Sequence, residues 1–128
     1  MPLNRSPLIV VAIATLLFMG TAVAHPKLLA SNPAANATVT KLEKIELHFS
    51  EKLVGQFSSV ELLMVSMPGM KAHAPMKIGS VATTLGIDGK TLVVKLKKPL
   101  AAGMYKLNWH AVSADTHRVE GTYNFRVE

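Results

Sequence analysis

The stretch KIELHF, Lys44–Phe49, alternates without a break, with Ile45, Leu47 and Phe49 on one side and Lys44, Glu46 and His48 on the other. A period of two marks a strand with one buried and one solvated face. Working outward, similar β-like runs recur between turn residues. Residues 27–31 form a first run, ended by Asn32-Pro33. Residues 60–65 form a third run and residues 77–85 a weaker fourth. Residues 91–97 alternate around Leu92, Val94 and Leu96, after a turn at Asp88-Gly89. Residues 104–110 point Tyr105, Leu107 and Trp109 one way, and residues 122–127 point Tyr123, Phe125 and Val127 inward. No helical period is sustained. About seven short strands in roughly a hundred residues predict an all-β fold, an immunoglobulin-like Greek-key sandwich.

The N-terminal end has a different composition. Arg5 gives a positive start, residues 8–19 are a run of twelve dominated by apolar side chains, and Ala22-Val23-Ala24 has the small-x-small form of a cleavage site. The run is too short to span a bilayer, and the layout is that of a secretory leader. The expected organisation is therefore a signal peptide over 1–24 and one exported domain over 25–128, beginning at His25. Removing the leader takes away one charged residue, Arg5, so the net charge of +6 becomes +5. The lysines are scattered with few aromatics between them, which argues against nucleic acid and suits an acidic partner. The chain has no cysteine, so no disulfide supplements the core and any soft metal ligand must be a thioether.

Two groups of donors stand out. If each connection reverses the chain, His25, Glu51, Asp115 and His117 collect at one end of the strands and the methionine segment at the other. Once freed by cleavage, His25 offers an α-amine and an imidazole, and Asp115 and His117, two apart, face the same side in extended backbone. Nitrogen with carboxylate suits Cu(II), while Zn(II) would take the same donors as a tetrahedron. An ordinary alternative is that Asp115 and His117 cap a turn. The second group lies in LLMVSMPGMKAHAPM, with Met64, Met67, Met70, His73 and Met76 within thirteen residues. These fit neither strand nor helix period, and Pro68, Gly69 and Pro75 break any regular element. Met64 alternates with Leu62 and is also suited to a core. The other methionines would be exposed and oxidisable without a ligand, and soft sulfur suits Cu(I). His48 and His110 fall at polar strand positions and read as solvated side chains, and Met104 reads as packing.

HPKL at His25, KIELHFSE ending at Glu51, LLMVSMPGM, the HxPM element from His73 to Met76, AAGMYKLNWHAVSADTH and the closing GTYNFRV together resemble the CopC family of periplasmic copper-resistance and copper-carrier proteins. The resemblance runs from His25 to Val127. It implies a β-sandwich with a Cu(II) site at His25, Glu51, Asp115 and His117, and a Cu(I) site at Met64, Met67, Met70, His73 and Met76. It also implies transfer of copper to an inner-membrane copper importer or a multicopper oxidase. Arg118 stands where the family usually has proline, and His110 where arginine commonly follows the tryptophan; neither change removes a ligand.

The expected function is therefore a non-enzymatic copper carrier for resistance and homeostasis. The competing reading is an oxygen-activating copper monooxygenase with a histidine brace. Glu51 and Asp115 would compete for the position oxygen needs there, and so short a chain leaves little surface for a polymeric substrate.

Overall fold

A computed structural model describes Pro2 and residues 25–70, 74–79 and 81–128. Apart from Pro2 the expected leader lies outside the described residues, and so does His73. Among the described residues nine strands run in chain order: β1 (Leu28–Asn32), β2 (Thr38–Val39), β3 (Lys44–Phe49), β4 (Ser59–Ser66), β5 (Met76–Lys77), β6 (Val81–Leu85), β7 (Thr91–Leu96), β8 (Gly103–Val112) and β9 (Arg118–Val127). Seven of them correspond to the runs expected from alternation. The other two, β2 and β5, are two-residue strands with no periodicity to read, each paired at a sheet edge.

The strands form two sheets, in the orders β1-β3-β7-β6 and β2-β9-β8-β4-β5. The sandwich forms because alternation places one apolar row per strand between the sheets. In β3 the row is Ile45, Leu47 and Phe49; in β8 it is Tyr105, Leu107, Trp109 and Ala111; all are buried. Leu62 and Met64 of β4, Leu92 and Val94 of β7, and Phe125 and Val127 of β9 complete it. Phe49 meets Trp109 edge to face across the sheets, with ring centroids 5.1 Å apart. The buried Tyr105 hydroxyl donates to the Ala101 carbonyl at 2.6 Å, which satisfies it where water is excluded.

Gly121 lies opposite Trp109 in the β8–β9 ladder. A Cβ there would stand 2.3 Å from Trp109 Cζ2, so the indole lies across the space a side chain would fill. Gly121→Ala should therefore cost about 2–3 kcal/mol by overpacking, lowering the thermal midpoint by about 10–20 °C. Calorimetry on the variant checks this, and an unchanged midpoint would show that the indole can move aside freely.

The segment after β3 decides what meets at one end of the sandwich. A 3₁₀ turn, Gly55–Phe57, follows Leu53, which bridges to Ser113. Val54 N–H donates to the Val112 carbonyl at 2.8 Å. The buried Ser58 hydroxyl donates to the Val54 carbonyl at 2.9 Å and accepts from Val112 N–H at 3.0 Å. The chain leaving β3 is thereby fastened to the end of β8.

Candidate metal centre

His25, Glu51, Asp115 and His117 lie at that fastened end. Their backbones meet through two tethers on either side of Glu51. Ser50 is tied to Lys27 twice, Ser50 N–H donating to the Lys27 carbonyl and Lys27 N–H to Ser50 Oγ, both at 2.9 Å. Lys52 is tied to the other side, its carbonyl accepting from Ala114 N–H at 3.3 Å. Glu51 thus sits between the segments that carry the two histidines. The rings of His25 and His117 pack edge to face with centroids 4.6 Å apart.

Asp115 and His117 form a structured turn. Thr116 between them has a positive φ of 73°, and its N–H donates to the Ser113 carbonyl at 2.9 Å. Asp115 Oδ2 lies 2.8 Å from His117 Nδ1, which leaves Nε2 as the nitrogen available to a ligand. Asp115 Oδ1 accepts from the Ser113 hydroxyl and from His117 N–H. The side chains expected as donors at this end are therefore the ones that cap the turn. Among the described residues no group of three histidine, aspartate or glutamate side chains is arranged to hold a metal ion, so these four side chains would have to rearrange around one.

The Ser113 hydroxyl, then His117, holds the Asp115 carboxyl down at about 2, below its usual 3.8. Since the folded value lies below the unfolded one, the turn's stabilisation is complete above about pH 4 and is lost as pH falls toward about 2. Asp115→Asn should flatten this acid limb. Urea denaturation between about pH 2 and 5 checks it, and an unchanged slope would assign the limb to other carboxylates.

The methionines occupy the opposite end. From Gly103 to Val112, β8 spans about 30 Å at roughly 3.3 Å per residue. Met64 pairs in register with Met76 and Tyr105, and is buried at 4 % exposure. Met67, Met70 and Met76 are 38, 62 and 55 % exposed. Met70 N–H donates to the Met67 carbonyl at 3.2 Å, closing the turn that carries both sulfurs. The five-residue set therefore divides into one core methionine, three exposed ones, and His73 outside the described residues. Met104, read from sequence as packing, is half-buried beside this loop and shares a groove of about 370 Å³ with Met67. Arg126 Nε donates to its sulfur at 3.2 Å. A guanidinium so placed repels a cation, so Met104 is not counted with the exposed sulfurs.

His48 and His110 are more ordered than solvated side chains need be. His48 Nδ1 lies 3.0 Å from Thr91 Oγ1, and His110 Nε2 lies 3.2 Å from Ser59 Oγ. Sequence carried no signal for these contacts, because the partners are 43 and 51 positions away.

Fold and donor placement define a small β-sandwich whose two ends carry donors of opposite softness. The CopC domain family model matches residues 28–128, and the chain belongs to this family. It is 46 % identical over 128 residues to Copper resistance protein C of Pseudomonas syringae pv. tomato, covering all of both chains. It is 44 % identical over 108 residues to Copper resistance protein C of Escherichia coli, covering 84 % of this chain and 85 % of the other. The crystal structure of PcoC, a methionine-rich copper resistance protein from Escherichia coli, superposes with a TM-score of 0.74 at 42 % identity, over 82 % of this chain and all of that one. CopC from Methylosinus trichosporium OB3b, 24 % identical, shares the fold with a TM-score of 0.64 over 81 % of this chain and 94 % of its own.

Proposed function

We propose that this chain is a periplasmic copper carrier serving copper resistance. Residues 1–24 direct export and are cleaved before His25; among the described residues no helix is long and apolar enough to cross a membrane. The freed amine and imidazole of His25, with His117 Nε2, supply nitrogen to Cu(II). Glu51 and Asp115 supply the negative charge that a dication needs. Met67, Met70 and Met76 with His73 take Cu(I), while Met64 packs in the core. The cargo leaves toward an inner-membrane importer or a multicopper oxidase.

The observation that carries this reading is the meeting of His25 and His117, 92 residues apart in sequence, with ring centroids 4.6 Å apart. The names of the relatives support copper as the cargo. Carriage is favoured over oxygen activation because Asp115 already engages His117 and the chain on either side of Glu51 is tied to the segments carrying both histidines.

Cu(II) here requires a neutral amine and neutral imidazoles, so protons compete with it. Thioethers do not protonate in this range, and His73 is the one acid-sensitive donor at the other end. Parallel titrations of the mature protein from pH 7 to about 5 should show Cu(II) affinity falling much more steeply than Cu(I) affinity. Equal losses at both ends would refute the division of oxidation states.

A further inference from the structure

The charges of the chain are not spread evenly along the strands. At the end that carries His25 and His117, Lys27, Lys52, Lys90 and Arg118 stand among Glu51, Asp88, Asp115 and Glu120, so that end is close to neutral. The positive excess lies toward the methionine end, on the four-stranded sheet and the loop that leaves it. Lys44 of β3 stands directly opposite Lys95 of β7. Lys97 and Lys98 follow the end of β7, Lys41 precedes β3, and all of these lysines are exposed.

Internal pairing accounts for little of this charge. Lys44 Nζ is held by Glu46 Oε1 at 2.9 Å, and Glu43 lies beside the same lysines. Among the described residues no carboxylate comes within ion-pair distance of Lys41, Lys95, Lys97 or Lys98. On the other sheet Arg126 and Glu128 offset one another, and Lys77 is paired with Glu61 at 3.8 Å. Like charges set opposite one another on a sheet destabilise it. Lys44 and Lys95, with Lys97 beyond them, therefore cost the fold stability that the domain does not offset, which points to a counter-charge from outside.

The make-up of the patch favours one kind of counter-charge. Lys44, Lys95, Lys97 and Lys98 line an open groove of about 410 Å³. Ammonium groups on flexible stems act as point charges and impose no fixed geometry, unlike a planar guanidinium. The groove is lined by no arginine and no aromatic side chain, the residues that anchor protein–protein interfaces, where lysine is depleted. After the lysines the loop runs Pro99-Leu100-Ala101-Ala102 without charge, and Pro99 and both alanines are exposed. Lysines beside a short uncharged stretch suit a phospholipid surface better than an acidic protein.

We propose that this face docks on an anionic membrane surface, with Lys44, Lys95, Lys97 and Lys98 meeting lipid phosphates and the methionine turn held at the same end. The patch owes nothing to copper. That the surface belongs to the inner membrane rests on the proposed export and carriage, for which docking would bring the exposed sulfurs beside an importer.

The test uses mature, metal-free protein, so its outcome is separate from that of either copper site. The protein should co-sediment with vesicles of phosphatidylcholine and phosphatidylglycerol in equal parts, and not with phosphatidylcholine alone. Binding should fall at least about tenfold as ionic strength rises from about 0.02 to 0.15 M, where the Debye length shortens to about 8 Å. Lys95→Gln with Lys97→Gln and Lys98→Gln should lose about a hundredfold, since each lysine contributes about fivefold at an anionic bilayer. The same three charges removed from the opposite end, by Lys27→Gln with Lys52→Gln and Lys90→Gln, should change binding less than about threefold. Because repulsion is relieved, the first triple variant should melt no lower than the parent protein; a lower midpoint would assign the lysines to the fold. Nitroxide-labelled lipid should broaden the amide signals of residues 97–102 and spare those of residues 115–117. Equal losses in the two triple variants, broadening at residues 115–117, or binding to phosphatidylcholine alone would overturn the proposal. So would binding of soluble polyglutamate at Lys95–Lys98 without binding to the vesicles, which would assign the face to an acidic protein.

Discussion

Protein that keeps even one residue ahead of His25 should bind Cu(II) at least about a thousandfold more weakly than protein cleaved there, a difference of about 4 kcal/mol. The cause is local. An N-terminal amine has a lone pair and closes a chelate ring with the His25 imidazole; an amide nitrogen in the same position has none to give. The pairing of His25 with His117 survives, as it rests on the Lys27–Ser50 tethers rather than on the terminus. One imidazole chelate therefore becomes two separate imidazoles. Cu(I) binding, about 30 Å away along β8, should be unaffected. Competition titrations on cleaved and extended protein decide the matter, and equal Cu(II) affinities would remove His25 from the site.

The second large effect concerns the sulfurs. Met67→Ala with Met70→Ala should abolish Cu(I) retention and leave the Cu(II) spectrum unchanged, while His117→Ala should do the reverse. Met67 and Met70 are exposed on one turn, so truncating them leaves no cavity and should barely alter stability. Met64→Ala is the contrasting case. Its sulfur lies in the core, and its loss should cost about 2–5 kcal/mol. No side chain spans the distance between the ends, so one ion cannot be shared. Oxidising Cu(I)-loaded protein should therefore move copper from the methionine end to the histidine end through solution or between molecules. If His117→Ala weakened Cu(I) as much as Cu(II), the two-site reading would fail.

Much of the frame was legible in the chain. Strands such as Lys44–Phe49 and Gly103–Val112 declare their inner faces through strict alternation, because a half-buried sheet imposes a period of two. β2 and β5 escaped, since two residues carry no period and their pairing depends on a neighbour already in place. The grouping of His25 with His117 followed from counting chain reversals, which needs strand order but no register.

The sequence by itself determined which chemistry is available: no thiol, a cluster of thioethers broken by proline and glycine, and nitrogen and carboxylate donors on segments that reversal carries to the other end. Tertiary structure decided which atoms of those residues are free. Asp115 holds His117 Nδ1 and so leaves Nε2 as the nitrogen open to a ligand, Met64 is drawn inside while Met67 and Met70 stay out, and Arg126 takes the sulfur of Met104. His48, read from sequence as a solvated residue of a strand, gains an oriented ring only because β7 sets Thr91 beside it. The physical reason is the same throughout. Residue type fixes what a side chain can do, but strand register sets its neighbours, and those neighbours settle which lone pair remains available.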